Sequence, residues 1–224
     1  MLTYHRLKSE KSPLYEYENW KITEKEFKVE TNHHNETIFS IGNGYMGLRG
    51  TLEEDYTGPS DTSTPGFYIN GVYEKEDIIY GEFAPKQPQK YQTMINLMDW
   101  TTINLYIEGE KFNLLKGKTI DYKRVLDIKN GLLKRHLIWE SKEGKKIEIN
   151  IERLISFKYK HIGAIKYEIT PLNFNGTVRI ISSLKGDVEN SHHLRDKSPL
   201  IIDNIGIDDQ YSYLLMSTKN FNRL

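Results

Sequence analysis

The chain has 224 residues, and its 31 Lys and Arg balance its 31 Asp and Glu, so it lacks the basic excess that a nucleic-acid or anionic-membrane surface requires. It contains no cysteine, which excludes disulfide frameworks and thiol catalysis. Its first residues hold no apolar stretch of signal-peptide length, and no run reaches eighteen apolar residues, so the expectation is a cytoplasmic protein that does not span a membrane.

Taken in order, the chain first offers Trp20, expected in the core. The next landmark is the segment 39–50, which holds Gly42, Gly44, Gly47, Gly50, the pair Asn43-Gly44 and Arg49. Gly42, Gly44 and Gly47 have dinucleotide-motif spacing, but that motif needs a helix to begin at the glycines. Gly50, Gly58 and Pro59 forbid a long one. The local prediction is instead a hairpin, with strands over 36–42 and 45–52 and positive φ at both Asn43 and Gly44. Gly47 and Gly50 would either admit a close neighbour or mark only bulges. Breakers, among them Pro59, Pro65, Pro85 and Pro88, predict loops over 57–66 and 84–90. Residues 74–79 and 191–197 are each expected to form a turn of helix. Period-two alternation predicts strands around Ile103, Leu105 and Ile107, around Ile147, Ile149 and Ile151, and around Ile165, Tyr167 and Ile169. A last strand is expected over 211–217. Many strands at short spacing, each with one apolar and one wet face, predict an all-β chain. It reads as one large antiparallel two-sheet β-sandwich over residues 1–224, with few short helices.

Few residues suggest chemistry. Glu53 with Glu54 or Asp55, and Asp208 with Asp209, are the paired carboxylates that a glycosidic acid–base mechanism would need. Neighbours on a strand diverge, so these are read as solvated charges and no catalytic residue is assigned. His33-His34 and His192-His193 lack a third ligand at a fitting spacing, so no metal is expected. Trp139 is assigned to the core, and Trp100 either to the core or to a strand mouth where a sugar could stack. Arg49 offers a planar fork of donors. It either pairs with Glu53 or Glu54 or faces an interface, and the interface is preferred.

Several ordered motifs carry a resemblance. They are Trp20 with Phe27; the 39–50 segment followed by Glu53-Glu54; Gly66-Phe67-Tyr68-Ile69-Asn70-Gly71-Val72-Tyr73; Asn96-Leu97-Met98-Asp99-Trp100; Arg124-Val125-Leu126-Asp127-Ile128-Lys129-Asn130-Gly131-Leu132-Leu133; Arg153; and Ser182-Ser183-Leu184-Lys185-Gly186-Asp187-Val188-Glu189-Asn190. Together they resemble the N-terminal part of glycoside hydrolase family 65, which includes maltose, trehalose and kojibiose phosphorylases. The resemblance implies a galactose mutarotase-like supersandwich that packs on a C-terminal α/α barrel of the same polypeptide. The barrel would carry the general acid and the phosphate site, and the chain would be an excised or truncated domain. It further implies an α-linked glucose disaccharide as substrate, inorganic phosphate as co-substrate with no cofactor, and a homodimer. Asn43, Tyr45, Arg49 and Trp100 are then expected at the substrate rim or the domain interface. The alternative reading is a stand-alone carbohydrate-binding module; a sugar mutarotase is a third.

Overall fold

A computed structural model describes residues 15–82, 85–190 and 199–219. Its largest element is a six-stranded antiparallel sheet. The strands are β1 (Glu16–Glu18), β2 (Lys21–Glu24), β10 (Lys118–Asp127), β11 (Leu132–Glu140), β12 (Lys146–Ile155) and β13 (Gly163–Pro171), adjacent in that order. The alternation that predicted β12 is realised along its whole length. Ile147, Ile149, Ile151, Arg153 and Ile155 are buried, and the intervening residues are half-buried. Each buried isoleucine contributes about 1.5–3 kcal/mol of hydrophobic stabilisation.

A second layer covers the inner face. It is built on β8 (Ile103–Ile107), flanked by β9 (Glu110–Lys111) and β14 (Val178–Ser182). Leu105, Ile107, Phe112 and Leu114 pack there against Leu137, Trp139, Ile147 and Ile149. Phe112 meets Trp139 edge-on at 5.2 Å. The two layers make the expected all-β sandwich, and Trp139 lies in its core. Three small sheets complete the described fold: β3 (Ile41–Gly42), β4 (Met46–Leu48) and β5 (Phe67–Ile69); β6 (Tyr73–Asp77) with β7 (Lys90–Met94); and the hairpin of β15 (Leu200–Ile207) and β16 (Ser212–Thr218).

Four local expectations are corrected. Residues 29–38 form a helix, α1 (Val29–Ile38), where a strand was predicted from 36. Its buried residues are Asn32, Asn35 and Glu36. They share one face by their spacing of three and four, but that face is polar, so no apolar periodicity announced it. Residues 73–77 are a strand, not a turn of helix. Trp20 is 63 % exposed at the β1–β2 turn, where its φ is 66°. At the 43–45 turn only Gly44 has positive φ, at 85°. Asn43 shapes that turn through its side chain: Oδ1 accepts from the backbone N–H of Tyr45 (3.0 Å) and of Met46 (2.8 Å), as asparagine does in Asx turns. The expected turn of helix at 191–197 and the pair His192-His193 lie outside the described residues, whereas His33 and His34 are exposed on α1.

Candidate functional site

The segment 49–55 crosses the inner face of the six-stranded sheet, and a row of buried charge holds it there. Arg124 on β10 stands directly opposite Glu24 on β2 and Arg135 on β11. Arg153 on β12 completes the row, and all three guanidiniums are buried. Arg124 donates to Glu24 Oε2 (2.7 Å) and to the Gly50 carbonyl (2.9 Å), and stacks 4.5 Å over Phe39. Arg153 donates to the Thr51 carbonyl (2.9 Å) and to Glu53 Oε1. Arg135 grips Glu54 with both terminal nitrogens, and its Nη2 lies 2.7 Å from Glu53 Oε2. Three cations therefore face three carboxylates, Glu24, Glu53 and Glu54.

Glu53 and Glu54 are thus neither solvated nor divergent, because the segment that carries them is not a strand. Burial alone would push the Glu53 carboxyl up, but Arg153 and Arg135 outweigh it and hold it below its ordinary value. A carboxylate held ionised between two guanidiniums has no proton to donate as a general acid. Burial disfavours the Arg135 cation, yet Glu54 and Glu53 raise its pKa well above the usual arginine value. The row positions the backbone of 49–54.

The sequence-nominated residues attach to this frame. Asn43 also donates from Nδ2 to the carbonyls of Ser156 (2.7 Å) and Lys160 (3.1 Å), which pins the turn to the β12–β13 loop. Tyr45 meets His161 edge-on at 4.6 Å, and Lys160 Nζ lies 4.9 Å over its ring. Arg49 reaches neither Glu53 nor Glu54, since Arg135 and Arg153 already hold them. Its Nε donates to the Thr64 carbonyl (2.7 Å), and its Nη2 donates to the His33 carbonyl (3.1 Å) and lies 3.7 Å from Glu36 Oε2. Glu36 in turn accepts from Ser63 Oγ (2.5 Å) and Thr64 N (2.7 Å), so α1, Arg49 and the 60–65 loop form one network. Trp100 packs edge-on to Phe67 at 6.0 Å, beside Ile155 and against Gly163, rather than at an open strand mouth.

Beside this network lies a cleft of about 760 Å³. His33, Asp61, Tyr68, Asp99, Lys185 and Glu189 are among the residues that line it. Two motifs far apart in sequence meet at its floor. Asn96 donates from its side chain to the Glu189 carbonyl (3.1 Å), and Asn190 Oδ1 accepts from Asn96 N (2.5 Å). Asp99 and Lys185 exchange backbone hydrogen bonds of 2.9 and 2.8 Å. Lys185 also pairs with Asp55, as does Lys111. Partial burial raises the Asp55 pKa, but the two lysines outweigh it and bring the carboxyl to about 2. The cleft presents hydroxyl, amide, carboxylate and imidazole groups on a scaffold fixed from below, a lining suited to a polyhydroxylated ligand or a polar protein loop. Among the described residues no group of three or more His, Asp or Glu could hold a metal ion, and no helix is long and apolar enough to cross a membrane.

Residues 22–222 match the family model described as glycosyl hydrolase family 65, N-terminal domain. The chain belongs to this family. It is 46 % identical over 186 residues to an α,α-trehalose phosphorylase of Thermoanaerobacter brockii, covering 83 % of this chain and 24 % of that protein. It is 37 % identical over 176 residues to a kojibiose phosphorylase of Halothermothrix orenii, covering 79 % and 21 %. Among solved structures it resembles a putative kojibiose phosphorylase from the human microbiome, with a TM-score of 0.76 at 26 % identity, covering 92 % of this chain and 26 % of that one. The chain spans about a quarter of the length of the curated relatives it matches. In this N-terminal domain two groups of those motifs are brought together by the fold: the 39–54 segment with Arg124 and Arg153 on the arginine row, and 96–99 with 185–190 at the cleft.

Sequence reasoning missed Glu24, Glu36 and Arg135 as organising residues and gave Arg124 and Arg153 no role. A signal for two of them was present. Arg135 and Arg153 occupy inward phases of alternating strands, among Leu133, Leu137 and Trp139 and among Ile149, Ile151 and Ile155. A charge at an inward position must find a partner.

Proposed function

We propose that this chain serves as the non-catalytic N-terminal β-sandwich domain of an α-glucoside disaccharide phosphorylase. In this reading it packs on a catalytic barrel of the same polypeptide, and its cleft forms part of the rim around the sugar site. The whole enzyme would act in the cytoplasm on an α-linked glucose disaccharide, with inorganic phosphate as co-substrate and no cofactor. Asn43, Tyr45, Arg49 and Trp100 then act by fixing the rim, with Arg49 holding the 60–65 loop at the cleft. The observation that carries the reading is the match to phosphorylases of several disaccharides through a quarter of their length, joined to the burial and ion-pairing of Glu53 and Glu54. The test has two arms. The pure chain, given trehalose, kojibiose or maltose with phosphate, releases no glucose 1-phosphate. A chimera in which it replaces the matched region of the Thermoanaerobacter brockii enzyme phosphorolyses trehalose. Turnover by the chain alone, or a folded but inactive chimera, would refute the proposal.

A second reading, a carbohydrate-binding module, is supported by one observation. Trp20, Phe157 and Tyr159 are exposed at the same end of the large sheet, and aromatic faces suit pyranose stacking. It requires saturable binding of millimolar sugar by the isolated chain, with loss of that binding in Trp20→Ala.

A further inference from the structure

The sequence contains four Asn-Gly pairs, with the asparagines at 43, 70, 130 and 175. Such a pair can close on itself. The backbone nitrogen of the glycine attacks Cγ of the asparagine side chain, and a glycine has no Cβ to obstruct the approach. In a folded chain the reaction requires a side-chain amide that is free to turn and a backbone that is free to follow it. The fold grants this freedom unequally.

Three pairs sit in tight turns whose glycine has positive φ: 85° at Gly44, 95° at Gly71 and 66° at Gly131. Asn43 is held hardest, since its side chain accepts two hydrogen bonds and donates two. Asn70 Oδ1 accepts from the Tyr73 hydroxyl (3.0 Å), and the Val72 N–H closes the turn on the Ile69 carbonyl (3.2 Å). Asn130 is tied twice to Asp127, by its backbone N–H to Oδ1 (3.2 Å) and by Nδ2 to Oδ2 (2.8 Å).

Asn175 has no such restraint. It is exposed in the irregular segment 172–177 between β13 and β14. Among the described residues its side-chain amide has no hydrogen-bond partner, and neither has the Gly176 N–H that would attack it. Packing also fixes the identity of the attacking residue. A Cβ at 176 would run into the carboxylate of Glu108, which accepts from the Thr177 N–H. Glycine is required there, and it leaves Asn175 open.

We propose that Asn175 is a modification site, at which this chain deamidates spontaneously through a succinimide. The Gly176 nitrogen gives up its proton and bonds to Asn175 Cγ; the bond from Cγ to the side-chain NH2 breaks, and ammonia leaves. Water then opens the ring. Attack on Cγ restores the ordinary backbone with an aspartate side chain, whereas attack on the backbone carbonyl leaves the chain running through Cγ as isoaspartate, one methylene longer. Either route consumes one water, releases one ammonia and turns an amide into a carboxylate. The Glu108 N–H donates to the Thr177 carbonyl (2.9 Å) just before β14 pairs with β8, so the isoaspartate form lengthens the backbone directly ahead of that ladder.

The test holds the full chain folded at mildly alkaline pH, then digests it and follows all four Asn-Gly peptides by mass spectrometry and by enzymatic methylation of isoaspartate. Asn175 should convert ahead of the other three, and at least about tenfold faster than Asn43, which must first break four hydrogen bonds. Asn175→Gln, whose side chain would have to close a larger ring, should remove most of the ammonia released. In urea the four pairs should react at similar rates, because the protection of the other three comes from the fold. An Asn175 that stays intact, an Asn43, Asn70 or Asn130 that keeps pace with it in the folded chain, or a preference for Asn175 that persists unchanged in urea would each overturn the proposal.

Discussion

Replacing Arg135 by methionine tests the arginine row most directly. Arg135 is 4 % exposed, and its guanidinium holds Glu54 through two hydrogen bonds and Glu53 through one ion contact. Glu53 keeps Arg153, but Glu54 loses its cation and stays buried. Breaking a buried pair by removing one partner costs about 3–5 kcal/mol, because an uncompensated charge remains. Domains of this size are stable by about 5–15 kcal/mol, so Arg135→Met should sit near the edge of folding. Urea melts followed by circular dichroism measure the change. The double variant Arg135→Met/Glu54→Leu removes both charges and should recover most of the loss, since apolar side chains of similar volume replace buried ion pairs at little cost. A loss below about 1 kcal/mol, the range of exposed ion pairs, or a double variant no better than the single one, would refute the account of the row.

Three further outcomes follow from the same geometry. A Cβ on Gly50 would stand 2.7 Å from the Cβ and the carbonyl oxygen of Phe39, and one on Gly47 would meet nothing within 4 Å. Gly50→Ala should therefore cost about 1–3 kcal/mol as an overpacking change, and Gly47→Ala should stay within about 0.5 kcal/mol; equal effects in denaturant melts would contradict the packing. Arg49→Ala removes a half-buried donor from the Thr64 and His33 carbonyls and should cost about 1–3 kcal/mol in this chain alone, whereas an unchanged midpoint would return Arg49 to the interface role first expected of it. The wild type should also lose stability on acidification. Asp55 is lowered from 3.8 to about 2 and Glu53 lies below 4.5 when folded. A depressed folded pKa stabilises above the unfolded value and is lost as pH falls through the folded one, so the decline runs from about pH 4.5 downward. Asp55→Asn should flatten its slope between about pH 4 and 2.

What the amino-acid sequence determined by itself is the class of fold, because strand periodicity is a local property. Ile147, Ile149 and Ile151 alternate with polar residues whatever surrounds them, and a strand turns alternate side chains to opposite faces. The ordered motifs likewise carried the family. Local pattern failed where a residue's role depends on a distant partner. The helix over 29–38 buries Asn32, Asn35 and Glu36, and such a face is stable only because Glu24, Thr62, Ser63 and Thr64 arrive to satisfy it. Glu53 and Glu54 read as solvated because their cations lie about 80–100 residues away on β11 and β12, and no spacing rule spans such a gap. Trp20 read as core because it is large and apolar, yet the positive φ of its turn turns it outward. Tertiary structure decided these points because the desolvation of a polar group is compensated only by a specific partner at hydrogen-bond distance. A hydrophobic face, by contrast, needs only any apolar surface to cover it.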